Sequence, residues 1–205
     1  MATHRLLRHL ATPTAVAATL LPATPAGATG FSAFPATIRS TAMTTNDNTA
    51  LPRGTAVKAS DVTQKVSLGG DVRAGLGDRG SLFGSVYPVL STDGGAHWRI
   101  DGPRFYRAAA DAPDVTTRLA SLGHHTLIAW GRGGNFVKTT TDRGRHWYQA
   151  DFPAGVYSAH VHAGRLIVRA IGDPGPSGRF PTRRYSSYDG GRLWHRGHRM
   201  AAIHY

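Results

Sequence analysis

Short apolar runs separated by turn-forming clusters organise this chain, and their period is that of strands. Residues 156–162 (VYSAHVH) alternate apolar and polar positions, as a strand with one buried face does. Residues 126–130 (TLIAW) and 165–170 (RLIVRA) are apolar runs of strand length and read as the second strands of their units. Runs at 115–122, 135–140 and 147–151 complete one four-strand unit with 126–130. The next unit repeats the layout, with a Gly- and Pro-rich loop at 173–179 and a strand at 183–187. An earlier unit is less regular, with strands expected over 66–76 and 82–90. No stretch outside the N-terminus sustains a 3.6-residue apolar period, so the chain is expected to be all-β.

One eight-residue pattern, [Ser/Thr]-x-Asp-x-Gly-x-x-Trp, closes each unit. It occurs as Ser91, Asp93, Gly95, Trp98; as Thr140, Asp142, Gly144, Trp147; and as Ser187, Asp189, Gly191, Trp194. The steps from aspartate to aspartate are 49 and 47 residues. Recurrence at that period signals a repeat architecture, and its length suits a four-stranded propeller blade. Each pattern also suits a tight hairpin turn. The carboxylate and hydroxyl can bond to backbone groups that the turn leaves unpaired, and the glycine tolerates positive φ. The tryptophan opens the next strand, where its ring can pack beneath the turn.

At these residues the chain resembles the Asp-box, or BNR-repeat, proteins. That family includes bacterial sialidases, some secreted glycoside hydrolases, sortilin-type receptors and photosystem assembly factors. The resemblance covers roughly residues 60–200. It implies a β-propeller of sialidase-like type, each box joining the third and fourth strands of a blade on the outer rim. The box residues are then expected to be turn staples. About three four-stranded blades, a partial propeller, would occupy residues 61–205. Propellers close with about 4–8 blades. Three therefore leave edges and blade faces open, which predicts a fragment of a longer product that is marginally stable or self-associating.

The N-terminus reads as a secretory signal peptide over residues 1–28, and hence predicts a secreted, extracellular protein. Arg5 and Arg8 precede a short apolar core at 15–21, and Ala26-Gly27-Ala28 is an A-x-A-like cleavage site. That core is far shorter than the ~20 residues of a membrane span. Residues 29–60, rich in Ala, Thr, Ser and Asn, read as a low-complexity spacer.

Composition narrows the chemistry. There is no cysteine, so no disulfide contributes. The formal charge is +12, or +10 without Arg5 and Arg8, which favours anionic cell-surface polymers or acidic glycans as partners. Nucleic acid is not expected, because the basic residues are dispersed and carry no recognised motif. All 12 acidic residues are aspartates. In sialidases, the resemblance implies, three arginines bind the substrate carboxylate, a tyrosine activated by a glutamate is the nucleophile, and an aspartate is the acid/base. With no glutamate, that tyrosine–glutamate pair cannot be built within this chain. Arg104, in Gly102-Pro103-Arg104-Phe105-Tyr106, is near the family's first arginine motif but does not match it.

Other glycoside hydrolases use two carboxyls. The candidates outside the boxes are Asp47, Asp61, Asp71, Asp78, Asp101, Asp111, Asp114, Asp151 and Asp173, and no spacing selects a pair. The histidine clusters His124-His125, His160-x-His162 and His195-x-x-His198 lack an identifiable third metal ligand, so no metal or cofactor is expected. Trp130, Tyr157, Tyr185 and Tyr188 are candidate sugar-stacking rings, with Trp130 also fitting a core position. The expected function is non-catalytic recognition of a glycan or anionic surface polymer. The alternative is a fragment of a sialidase-like or other glycoside hydrolase. A photosystem-type assembly role is disfavoured by the export signal.

Overall fold

A computed structural model describes residues 34–44, 51–78, 85–106, 117–131, 134–153 and 155–203. The expected signal peptide lies outside them, as do Asp47, Asp111 and Asp114. The described chain is all-β. Its strands are β1 (Thr37–Arg39), β2 (Thr41–Ala42), β3 (Ala56–Val57), β4 (Val62–Gly69), β5 (Val72–Asp78), β6 (Ser85–Ser91), β7 (Trp98–Ile100) and β8 (Phe105–Tyr106). They continue as β9 (Thr117–Leu122), β10 (Thr126–Gly131), β11 (Phe136–Thr140), β12 (Tyr148–Asp151), β13 (Val156–His162), β14 (Arg165–Ile171), β15 (Phe180–Ser187) and β16 (Leu193–Ile203). No helix among the described residues is long and apolar enough to cross a membrane.

Three antiparallel meanders form three sheets, β4-β5-β6-β7, β9-β10-β11-β12 and β13-β14-β15-β16. The strand expected over 66–76 is two strands. Gly69 and Gly70, at φ of 102° and 54°, make the turn between β4 and β5 that the apolar pattern reads through.

The sheets stack through alternating faces of their strands. On β10, Leu127 and Ala129 join Leu68, Leu76 and Phe105 of the first unit in one apolar layer. Ile128 and Trp130, pointing the other way, join Val168, Tyr185 and Trp194 of the third sheet in another. The middle sheet is thus covered on both sides, which is why its second strand reads as a continuous apolar run. One ring contact repeats across both layers. Phe105 meets Trp147 edge to face at 4.8 Å, and Phe152 meets Trp194 at 5.7 Å.

Of residues 29–60, expected as a spacer, the described ones, 34–44 and 51–60, hold three short strands and a cap. β1 pairs with β16, β2 with β12 and β3 with β7, so one strap adds a fifth strand to the outer edge of every sheet. It bonds beside each box tryptophan: Ser40 N donates to Arg192 O at 2.9 Å, Met43 N to Trp147 O at 2.8 Å, and Gly54 N to Ile100 O at 2.8 Å. Low apolar content hides such a segment, because an edge strand needs its backbone groups more than its side chains.

After β3 the strap turns through Ala59–Asp61 and crosses the outward face of the first sheet. Leu51, Val57 and Val62 pack there on Tyr87, Val89, Trp98 and Ile100. Two glycines make room: a Cβ on Gly75 would lie 2.5 Å from Val62 Cγ1, and one on Gly77 2.8 Å from Val89 Cγ1. On the outward face of the third sheet, Ile167 and Ile171 are 5% and 8% exposed. Arg169 and Arg165 lie over the Tyr157 and Tyr188 rings there, each at 5.4 Å. Among the described residues, chain thus covers the outward face of the first sheet and cation–ring stacks dress that of the third, while β4, β9 and β13 each end their sheet without a further partner strand.

The crossing gives a test of the cap. Gly75→Val forces a side chain into the Val62 contact and is expected to lower the unfolding free energy by about 1–3 kcal/mol. Urea unfolding measures this, and unchanged stability would mean that residues 51–62 do not press on that face.

Candidate functional site

The three boxes form one recurrent device. In the first, Ser91 Oγ donates to Asp93 Oδ1 at 2.7 Å and accepts from Gly95 N at 2.9 Å, while His97 N donates to Asp93 Oδ1 at 3.0 Å. The second repeats it through Thr140, Asp142, Gly144 N at 3.0 Å and His146 N at 3.0 Å. The third does so through Ser187, Asp189, Gly191 N at 2.8 Å and Leu193 N at 3.0 Å. Two consecutive turn residues take positive φ in each: Gly94 and Gly95, Arg143 and Gly144, Gly190 and Gly191. The sequence pattern marks only the second of each pair. Trp98 Nε1 and Trp194 Nε1 donate back to Gly95 O and Gly191 O at 2.8 and 3.0 Å, whereas Trp147 Nε1 is buried without a partner.

These bonds set the charge state of the aspartates. The His97 backbone N–H, then the Ser91 hydroxyl and His97 ring, hold the Asp93 carboxyl far below the usual range. At Asp142 and Asp189 burial opposes ionisation. Bonds from the His146 and Leu193 backbones and from the Thr140 and Ser187 hydroxyls outweigh it, leaving both lowered. All three carboxylates are committed to their turns.

Two clefts lie near these elements. One of about 410 Å³, beside the first box, gathers Arg53, Asp93, His97, Arg99 and Asp101. It neutralises itself. His97 Nδ1 lies 2.6 Å from Asp93 Oδ2, and Arg53 pairs with Asp101, whose carboxyl is nonetheless raised because burial outweighs the arginine.

The other, of about 690 Å³, is the candidate site. It lies between the β14–β15 loop, the outer strands β15 and β16, and the start of the strap. Arg179, Arg183, Arg196 and Arg199 line it with Phe34, and Asp173 is the one carboxylate there. Arg183 and Arg199 stand directly opposite across the β15–β16 ladder. Like charges so placed destabilise a sheet unless something neutralises them. Arg183 Cζ lies 5.9 Å from the Phe34 ring, and Arg196 Nη1 donates to Phe34 O at 2.5 Å. This arrangement can bind an anion bidentately with a ring or apolar surface beside it. Sequence reasoning missed the cleft because its arginines are dispersed until a bulged hairpin and the strap bring them together.

The remaining candidates are scattered. Asp61 accepts from Ser60 Oγ, Asp71 lies in the β4–β5 turn, Asp151 accepts from Gln149 Nε2 at 2.8 Å, and Asp78 ends β5. Of these candidates, Asp101 shares a cleft with Asp93 and Asp173 joins the arginines. His124 Nδ1 contacts Leu68 O at 2.5 Å, and His125 Nδ1 accepts from Arg143 Nε. No group of three ligating side chains among the described residues is placed to hold a metal. Trp130 and Tyr185 are not available as sugar platforms: both are core residues, and the Tyr185 hydroxyl donates to Pro35 O at 3.0 Å. Tyr188 is 68% exposed and Tyr157 lies under Arg169.

No family model matches this chain, and no curated protein matches it.

Two outcomes follow from the boxes. Thr140 is fully buried, so Thr140→Val leaves the Gly144 N–H unpaired and is expected to lower stability by about 1–3 kcal/mol in urea unfolding. The lowered carboxyls contribute stability that is complete above an ordinary pKa of about 4 and is lost as pH falls through their folded values. Unfolding free energies measured from about pH 5 to about pH 2 are expected to fall accordingly. A variant carrying Asp93→Asn, Asp142→Asn and Asp189→Asn is expected to fall less steeply.

Proposed function

We propose that this protein is an exported partial Asp-box propeller, its three sheets serving as blades, and that it recognises an anionic glycan or surface polymer without catalysis. The observation that carries this reading is the Arg183–Arg199 pair, two facing cations in an open cleft with two further arginines and a single carboxylate. A polyanion laid along the cleft supplies the missing countercharge, and Phe34 offers a ring face to its sugar. One carboxylate favours binding over glycosidic hydrolysis, which employs two. The blade assignment is supported by the four-strand meanders, by the box at each third-to-fourth strand turn, and by the face-to-face stacking.

Calorimetric titration of the full chain with polygalacturonate, heparin and neutral dextran tests the reading. The two polyanions are expected to bind, with affinity falling as salt is raised, and dextran is not. Arg183→Ala with Arg199→Ala is expected to weaken polyanion binding at least about tenfold, a loss of about 1.4 kcal/mol or more. Equal binding of dextran, or an unchanged affinity in the double variant, would overturn it.

A further inference from the structure

Positive charge gathers in the third unit. Residues 156–203 hold eight arginines and two aspartates, with no lysine or glutamate. Asp189 is committed to its box and Asp173 lines the cleft. Neither aspartate of this unit is therefore left to answer the arginines on the outward face of the sheet.

That face is laid out on β14. Leu166, Val168 and Ala170 point into the core, so Arg165, Ile167, Arg169 and Ile171 alternate to the outside. Arg169 stands directly opposite Arg184 in the β14–β15 ladder. This is a second facing arginine pair. It is next on β15 to the Arg183–Arg199 pair and lies on the other side of the sheet. Like charges so placed destabilise the ladder. Among the described residues no ion pair reaches Arg165, Arg169 or Arg184. Their company is neutral. Arg165 Nη1 donates to Tyr188 Oη at 2.9 Å, and Arg169 Nη2 donates to Ala201 O at 3.2 Å. Arg184 lies over Gly197, where a Cβ would be 3.4 Å from its Nε.

The contact of Arg169 with Ala201 leads round to the cleft. Its guanidinium crosses the outward face to Ala201, and the next residue, Ala202, lines the cleft on the other side. β1 pairs with β16 only at Leu193–His195. From Gly197 onward no described strand lies beyond β16, and the edge between the two arginine pairs is open.

We propose that the outward face of the third sheet is a second subsite for the polyanion bound at the cleft. One polymer chain passes over the free end of β16 and engages both arginine pairs. This rests on the cleft being a polyanion site, and it names the ligand further: a long, flexible anionic polymer, not a short acidic saccharide. Carboxylate or sulfate groups along the polymer bond to the guanidinium edges and relieve the repulsion on each side of the sheet. The outward face is flat, so a separate small anion gains little there. Once the polymer is held in the cleft, its contact with the face is intramolecular and the two affinities reinforce each other.

Calorimetric titration of the full chain with polygalacturonate tests this with two charge-matched double variants. Arg165→Gln with Arg184→Gln alters the face, and Arg118→Gln with Arg145→Gln removes the same charge from exposed positions of the second unit. The face variant is expected to bind at least about tenfold more weakly than its control. A second measurement uses the unaltered chain. Phenylglyoxal modification of arginines, followed by mass spectrometry of the peptides, is expected to slow at Arg184 as well as at Arg199 when polygalacturonate is present, and not at Arg118. Equal affinity of the two variants, or protection of Arg199 without Arg184, would overturn the second subsite and leave the cleft reading standing. Absence of polygalacturonate binding to the unaltered chain would overturn both.

Discussion

The outermost strand of each sheet carries a row of backbone N–H and C=O groups open to pairing, and the strap before the first meander pairs part of that row at all three sheets. β1, β2 and β3 are two or three residues long, yet each lies against the strand opened by, or directly following, a box tryptophan. Edge pairing therefore acts exactly where each ring is seated. Ser40 shows the coupling: its hydroxyl donates to Gly191 O, the same carbonyl that accepts the Trp194 indole N–H. The strap also covers the face of the first sheet that no other sheet among the described residues packs against. Val57 and Val62 occupy, against Trp98, the place that Phe105 and Phe152 take against Trp147 and Trp194.

Two repeats are thus superimposed. The visible one is the turn: hydroxyl, carboxylate, two left-handed residues, tryptophan. The less visible one is the layer beneath it, in which a phenylalanine from the preceding unit meets the next unit's tryptophan edge to face. The spacing is 42 residues in both cases, Phe105 to Trp147 and Phe152 to Trp194. A box turn also rests on its neighbour's backbone or side chains. A Cβ on Gly191 would lie 2.5 Å from Thr139, and one on Gly144 3.3 Å from Asp101 O. The glycines of the boxes consequently answer to two constraints, positive φ within the turn and close approach of the adjacent sheet.

Strands with strong apolar signatures were legible: β10 and β14 follow from continuous runs, and β13 from alternation. So were the box turns, whose residue types state their own hydrogen bonds. The strap was not, because edge pairing needs no apolar pattern and its composition imitates a spacer. The β4–β5 turn was not read, although Gly69-Gly70-Asp71 carries a turn signal between the two strands. The arginine cleft was the least legible feature. Arg179, Arg183, Arg196 and Arg199 are ordinary surface residues by sequence, and only the register of β15 on β16 makes two of them face each other. Tyr185 illustrates the converse. A tyrosine in an alternating strand reads equally as a surface platform or a core ring, and the partner that decides is Pro35, 150 residues away.

The strap and the cleft share one residue, and that joins the seating of the strap to the charge state of the cleft. Phe34 precedes β1, accepts from Arg196 through its carbonyl and faces Arg183 with its ring. The start of the strap is therefore held by two of the cations that line the cleft. An anion placed between Arg183 and Arg199 would remove the repulsion across β15 and β16 and strengthen the ladder on which β1 is laid. Binding at this rim and closure of the third sheet's edge would then favour each other, since a ligand that prefers the strapped form must stabilise it by its differential affinity.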